Sequence, residues 1–481
     1  MKANIRRVGT VLVLGFVLVA LSLIYWQVLR ASELTSDVDL NRYRLAQREK
    51  TVQRGRILDR NGVIVASSKI EPDGVDRVYS QPWLVHVTGF HNLIFGDANV
   101  ERKFGNYLSG AVESDPLRRL FDSLLHRPTA GDDVVLTVDS ALQRVAEEEL
   151  GAAKGAIVVI QPNTGEILAL ASHPYFDPNT MERDWQRLRN DPDRPLLNRA
   201  TQGLYVPGST FKTVTLAAVL EEGISRPDEV FDFEMKVDSR GRDYHTDVVN
   251  GFPIVCYNHG PTSPGRAILT LADAYAKSCN VVFARLGLRL GAQRLAGYAR
   301  RFGFEAPIPV EIPTEPSSVS AQPDFLNDQV ALASTAFGQG QLQVTPLQLA
   351  LVAAAIANDG KIPQPHLVRE IRTRDVSIKV GPMGVWREAI SPATARMLAQ
   401  IMVESVDNGW ASPAQIRGVA VAGKTGTAEA QLDDLPHAWF IGFAPADEPK
   451  VAVAVVKENV GSGGAEAAPA ARRLMELVLR K

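Results

Sequence analysis

Apolar positions run unbroken from Val8 to Leu29, "VGTVLVLGFVLVALSLIYWQVL", 22 uncharged residues that predict a helix crossing the roughly 30 Å of a bilayer's hydrocarbon. Lys2, Arg6 and Arg7 precede the run, whereas Arg30 is soon followed by Glu33, Asp37 and Asp39. The charge bias therefore predicts a cytoplasmic tail of residues 1–7, an anchor of residues 8–29 in contact with membrane lipid, and an extracytoplasmic remainder. A cleaved signal peptide is the competing reading, but the run is long and "QVLRASE" offers no small-x-small site.

After the anchor the pattern changes twice. Residues 30–140 mix short apolar segments with turns and read as a separate module. Its clearest feature is "TVQRGRILDRNGVIVASS" (51–68), two short strands about Asn61-Gly62, where glycine supplies the positive φ of a tight hairpin. From about residue 141 the periods sharpen. "DSALQRVAEEELG" is an amphipathic helix, and "AIVVIQPNTGEILALAS" is two apolar runs about a four-residue turn, hence a hairpin. A helical middle follows, with residues 209–222, "ILTLADAYAK", "VVFARLGLRLG" and "TPLQLALVAAAIANDG". Strands return in "GVAVAGKTGTAE", "HAWFIGFAP" and "VAVAVVKEN", and "AARRLMELVLRK" closes the chain as a helix. Two early strands and three late ones predict an α/β (α+β) domain over 141–481, built on one five-stranded antiparallel sheet flanked by helices.

Composition narrows the function classes. Lysine and arginine number 52 against 54 acidic residues, so no electrostatic footprint for nucleic acid exists. Eight scattered histidines and two cysteines show no zinc-type spacing, so neither a metal nor a cofactor is expected. No glycine-rich phosphate loop or internal repeat is present in the sequence.

Three short motifs carry candidate chemistry. "YVPGSTFKTVTLAAVLEEG" places Ser209 on the first turn of an apolar helix with Lys212 three residues on, on the same face. Ser278-Cys279-Asn280 falls between two apolar helices, and Lys424-Thr425-Gly426 opens a strand that continues into Thr427. Taken singly, each has a plain structural reading as a helix cap or a turn. Taken together and in this order they supply an acyl-transfer site. Serine is a weak nucleophile until a base takes its proton, and lysine is a base only when burial or a second cation lowers its pKa. Lys212, one turn away, is the candidate base and Lys424 the candidate second cation; Ser278 could relay protons between them and Asn280 offers an amide. SxxK with SDN- and KTG-type motifs is the set of penicillin-binding proteins and class A β-lactamases.

On these motifs, and on "QRGRILDRNG", "GAIVVIQPNTGEILALASHPYFDPN", "STAFGQGQLQVTP" and "HAWFIGFAP", the sequence resembles the class B penicillin-binding proteins, within them the actinobacterial A subgroup. The resemblance covers nearly the whole chain. It implies a penicilloyl-serine transferase fold on an N-terminal pedestal, and a peptidoglycan D,D-transpeptidase acting in cell wall synthesis and cell division. Ser209 would attack the donor stem peptide's penultimate D-alanine, with Lys212 as base and Ser278 and Asn280 for relay and positioning. Lys424, Thr425, Gly426 and Thr427 would bind the substrate, and the N–H groups of Ser209 and Thr427 would form the oxyanion hole. An amine of a second stem resolves the acyl-enzyme, β-lactams trap Ser209, and division membrane proteins are implied partners.

The cysteines allow two readings, a disulfide, or a buried filler at Cys279 with a loop thiol at Cys256. The subgroup's cysteine pairing implies a Cys256–Cys279 bridge across the mouth of the site. Other activities remain as alternatives: a β-lactam sensor, a non-catalytic division scaffold, or a β-lactamase. Against the last, the only Glu-x-x-x-Asn between the second and third motifs is "ESVDN" at 404–408, without leucine. A glycosyltransferase domain is disfavoured, since only about 110 residues separate the anchor from the catalytic domain.

Overall fold

The structure, a computed structural model, describes residues 2–26, 52–72, 74–112, 130–257, 265–373, 376–381, 384–429 and 434–480. Expectations on residues 27–51, on most of "DPLRRLFDSLLHRPTAGDD" and on "YNHGPTSPG" fall largely or wholly outside these. The chain divides into two compact units, one of residues 1–53, 69–76 and 114–130, the other of residues 54–68, 77–113 and 131–481. In the first unit the helix Lys2–Ile24 includes a 19-residue stretch, Arg6–Ile24, of mean hydropathy 2.3 with no part buried. Its length and composition suffice to cross a membrane.

The second unit is built on the expected five-stranded sheet, in the order Ala422–Ala428, His437–Ala444, Val451–Lys457, Gly155–Ile160, Ile167–His173, every pair antiparallel. Both ends of the domain thus close one sheet. The strands Gly155–Ile160 and Val451–Lys457 are apolar almost throughout because both faces are covered. Side chains alternate between two cores. Ala156, Val158 and Ile160 face the helices Lys212–Glu221 and Pro346–Ala357, whereas Ile157 and Val159 face Ser140–Leu150 and Ala468–Leu479. Asp139 caps the helix Ser140–Leu150 by accepting from the N–H groups of Ala141 and Leu142, a contribution of about 1 kcal/mol.

The middle of the domain is less helical than the sequence suggests. Strands Val230–Glu234 and Arg266–Thr270 pair, and between them Asp243–Val249 and Phe252–Tyr257 form a hairpin. "ILTLADAYAK" accordingly splits, its first residues ending a strand and Leu271–Ala276 forming a short helix. Thr270 marks the switch, with a reciprocal capping box to Asp273.

The N-terminal module holds the Asn61-Gly62 hairpin as expected, with Gly62 at φ +84° and Ile57–Leu58 antiparallel to Ile64–Glu71. Buried Asp59 accepts from the N–H groups of Asn61 and Val63 and from Ser140, tying the turn to the first catalytic-domain helix. Ile57–Leu58 also runs parallel to Asp133–Leu136, which pairs on its other edge with Val368–Arg372, a strand from far along the chain. Fully buried Glu101 bonds Arg54 at 2.8 Å, Arg77 at 2.6 Å and the Tyr79 hydroxyl at 3.2 Å.

A Glu101→Ala change leaves buried Arg54 with the 3.5 Å pair to Asp97 and Arg77 with the Gly55 carbonyl, and removing the carboxylate from such a buried cluster costs about 3–5 kcal/mol. The expected outcome is a large drop in the urea midpoint, read by circular dichroism. A midpoint within error of wild type would show that the cluster bears no stability.

Candidate active site

The sequence Val-Pro-Gly-Ser shapes the first wall of the site. Gly208 adopts φ +55°, a conformation that β-carbon-bearing residues disfavour, and the chain turns into a short 3-10 segment, Gly208–Phe211, before the α-helix Lys212–Glu221. Thr210 Oγ1 donates to the Pro207 carbonyl at 2.7 Å and locks the turn. Three residues apart on this tightened turn, Ser209 and Lys212 share a face, and Lys212 Nζ lies 2.9 Å from Ser209 Oγ.

The second wall is the turn between the helices Leu271–Ala276 and Asn280–Leu290. Its backbone folds back on the first helix, Ser278 N–H donating to Tyr275 O at 3.0 Å and Cys279 N–H to Ala274 O at 2.7 Å. Ser278 is thereby held at φ +61°, a left-handed conformation that costs about 1–3 kcal/mol for a residue with a side chain. The turn aims three oxygens at one ammonium. Lys212 Nζ donates to Ser278 O at 2.8 Å, Asn280 Oδ1 at 2.6 Å and, at 3.2 Å, Ser278 Oγ. Cys279, not Ser278, occupies the cap position of the following helix, so the simple capping reading of Ser278 fails.

The third wall is the edge strand Ala422–Ala428. Gly426 is required here: a β-carbon would sit 2.9 Å from Pro207 O and from Thr210 Cγ2, so only glycine lets the strand lie against the serine turn. Lys424, Thr425 and Gly426 are buried while Thr427 is exposed. Lys424 Nζ donates to Thr425 O at 3.1 Å and stands 5.4 Å above the ring of Tyr275. Tyr275 is itself held by a 2.8 Å hydrogen bond with Thr213 Oγ1.

Two fully buried lysines set the electrostatics. Burial pushes Lys212 down to about 8, opposed by the charges of Cys256 and Cys279. Burial first, and then the charge of Lys212, holds Lys424 well below the usual lysine value. The two ammonium groups also differ in their partners: four oxygens surround Lys212 Nζ, whereas Lys424 Nζ donates to the Thr425 carbonyl. An amine poised near neutrality and touching a serine hydroxyl is a base for that hydroxyl.

The cysteines correct two expectations. Cys256 and Cys279 are adjacent but not bridged, their Sγ atoms 3.3 Å apart, against about 2.05 Å in a disulfide. They lie buried behind the second wall rather than across the mouth. Cys256 Sγ accepts from Val281 N–H at 3.3 Å, and His245 Nε2 lies 3.3 Å from Cys279 Sγ. Nor are the histidines all remote from the cysteines. His245 and Cys256 are cross-strand partners, so pairing of distant segments gathers ligand atoms of His245, Cys256 and Cys279 within 4.8 Å, which no linear spacing foretells.

Ser209 on a helix's first turn, its lysine base, the Ser-x-Asn turn and a Lys-Thr-Gly edge strand on a five-stranded antiparallel sheet define a serine acyl-transfer enzyme of the penicillin-recognising class. The chain belongs to the penicillin-binding protein transpeptidase family: the penicillin binding protein transpeptidase domain matches residues 155–476, and the penicillin binding protein A dimerisation domain matches residues 54–134. Peptidoglycan D,D-transpeptidase PbpA of Mycolicibacterium smegmatis is 36% identical over 100% of both chains. PbpA of Mycobacterium tuberculosis is 35% identical over 100% of this chain and 99% of its own. A ceftriaxone acyl-enzyme complex of penicillin-binding protein A from M. tuberculosis matches with a TM-score of 0.80 at 35% identity, over 90% of this chain and 99% of that one.

The lowered Lys212 pKa fixes the sign of a pH dependence. With the neutral Lys212 amine as base, acylation by a labelled penicillin is expected to rise with pH and level off above about 8. At pH 6.5 the rate should be about 30-fold below the plateau, the neutral fraction falling tenfold per pH unit. A flat profile from pH 6 to 9 would contradict a lysine base.

Proposed function

We propose that this chain is a peptidoglycan D,D-transpeptidase, a serine acyltransferase that cross-links stem peptides in cell wall synthesis and is inhibited by β-lactams. The observation that carries this reading is the 2.9 Å contact of buried Lys212 Nζ with Ser209 Oγ, inside a ring of oxygens supplied by Ser278 and Asn280.

Ser209 Oγ attacks the carbonyl carbon of the penultimate D-alanine while its proton passes to Lys212 Nζ. The developing oxyanion is received by the backbone N–H groups of Ser209 and Thr427, a pairing supported by the close packing of the Gly426 strand on the serine turn. The substrate carboxylate lies along Lys424, Thr425, Gly426 and Thr427; exposed Thr427 offers its hydroxyl to the cleft. Collapse of the tetrahedral adduct breaks the peptide bond. Terminal D-alanine departs as an amine carrying a proton relayed from Lys212 through Ser278, whose hydroxyl lies 3.2 Å away. An acceptor amine then attacks the ester, Lys212 takes its proton, and Ser209 regains its hydrogen.

Rapid hydrolysis of the acyl-enzyme is disfavoured. Glu404, the only acid in a Glu-x-x-x-Asn spacing between the second and third motifs, lies within the helix Pro392–Asp407 and bonds its own Asn408 at 2.7 Å in an exposed position. The N-terminal apolar helix supports a membrane-anchored chain with tail 1–7 inside and residues 30–140 and 141–481 outside. The non-catalytic 30–140 module is the natural contact for membrane proteins of the division apparatus.

In the test, the chain is incubated with a labelled penicillin and the bound label is followed after excess reagent is removed. Wild type is expected to label and to hold the label for hours; release within minutes would make it a hydrolase, and absence of labelling a scaffold. Ser209→Ala should abolish labelling while changing stability by about 1 kcal/mol, the worth of the one hydrogen bond that its hydroxyl makes with Lys212. A folded Ser209→Ala protein that still labels at the wild-type rate would remove Ser209 as nucleophile.

A further inference from the structure

The left-handed Ser278 turn is braced from outside by a residue that none of the three motifs includes. Beyond the helix Pro392–Asp407 the chain runs through Gly409 to Trp410, which lies with half its surface in water. Trp410 donates two hydrogen bonds to this turn. Its backbone N–H donates to Ala276 O at 3.2 Å, and its indole Nε1–H donates to Lys277 O at 3.0 Å. Those carbonyls belong to the two residues immediately before Ser278.

The brace is fitted closely and held at its base. A β-carbon on Gly409 would come 2.5 Å from Ala276 O, so the loop lies directly on the turn. Gln415 Nε2 fastens it to the end of its helix, donating to Val406 O and Asp407 O at 3.1 and 3.2 Å. The other side of the loop meets Gly464, whose β-carbon would lie 3.0 Å from Trp410 O. Neighbouring Gly463 in turn lies against the Lys-Thr-Gly strand, where a β-carbon would approach Gly426 O to 2.4 Å. One short loop thus bears on the Ser-x-Asn turn directly and on the edge strand through Gly463-Gly464.

We infer that Trp410 is a positioning residue for acylation, pinning consecutive carbonyls of the turn so that Ser278 stays in the strained conformation that presents both its carbonyl and its hydroxyl to Lys212. Without the indole donor, Lys277 O loses its recorded partner on this side and the turn can relax toward ordinary right-handed backbone. The Lys212 amine then spends less time aligned with Ser209. Both Trp410 donors reach the carbonyls before Ser278 rather than Ser209 or Lys212, so its effect passes through the turn. The inference rests on the acylation chemistry proposed above.

The test is saturation kinetics of acylation with a labelled penicillin on the full chain in detergent, comparing wild type, Trp410→Phe and Gly409→Ala. Phenylalanine keeps an aromatic ring and the backbone bond while removing the indole donor with its five-membered ring; alanine pushes the loop off the turn. Both are expected to lower the limiting acylation rate constant by about five- to tenfold, the worth of one hydrogen bond. The half-saturating penicillin concentration and the final labelled fraction should stay at wild-type values. Loss of structure alone would lower the labelled fraction and leave the rate constant of the folded molecules unchanged, which overturns the inference. So would an unchanged rate constant, or a weaker half-saturation at constant rate, which would make Trp410 a wall of the ligand site. Absence of labelling in wild type would instead overturn the acylation chemistry itself.

Discussion

A single buried ammonium organises the catalytic domain. Lys212 is fully enclosed, and an enclosed cation is tolerated only where oxygens replace its water. Four do so, and they come from the serine turn and the Ser-x-Asn turn. Satisfying that one group therefore fixes the distance between two segments nearly seventy residues apart in sequence. Phe283, from the helix after the second turn, places its ring 5.7 Å beneath the same nitrogen, adding an attraction that does not saturate a proton. The same enclosure weakens the lysine as an acid-holding group, so the arrangement that stabilises the fold also prepares the base.

The edge strand answers a related constraint. Lys424 is equally buried, and burial first and then the nearby charge of Lys212 hold it well below the usual lysine value, while its Nζ donates to the Thr425 carbonyl. In the function proposed above, a substrate carboxylate at Lys424 would supply the counter-charge this ammonium lacks. On that reading Lys424 is the charged member of the pair and Lys212 the neutral one, the division that a base beside the serine requires.

How far the sequence discloses this depends on whether an element's identity is local. The five sheet strands and the flanking helices are legible because uninterrupted apolar runs with turn residues between them have few other outcomes, as in "AIVVIQPNTGEILALAS". The three motifs are legible because chemistry restricts residue types at short spacing. The strands between residues 230 and 270 are not, since "FDFEMKV" and "DYHTDVV" are too polar to announce themselves and become strands only by pairing. The sulfur pair fails differently. The sequence puts Cys279 in the motif, but burial behind the wall and the approach of His245 come from a hairpin crossing over the motif. Trp410 carries no signal at all, as its two donors meet carbonyls whose position is set by a strained turn.

Val368–Arg372 pairs with Asp133–Leu136, which pairs with Ile57–Leu58. The chain therefore leaves the N-terminal sheet, builds most of the catalytic domain, and returns to donate a strand before finishing that domain. A cut near residue 140 does not separate two cassettes: it leaves the returning strand with an open edge, bare N–H and C=O groups that invite another chain. The N-terminal module is to that extent a part the catalytic domain completes, and recombination that exchanged it between relatives would have to carry the distant strand along.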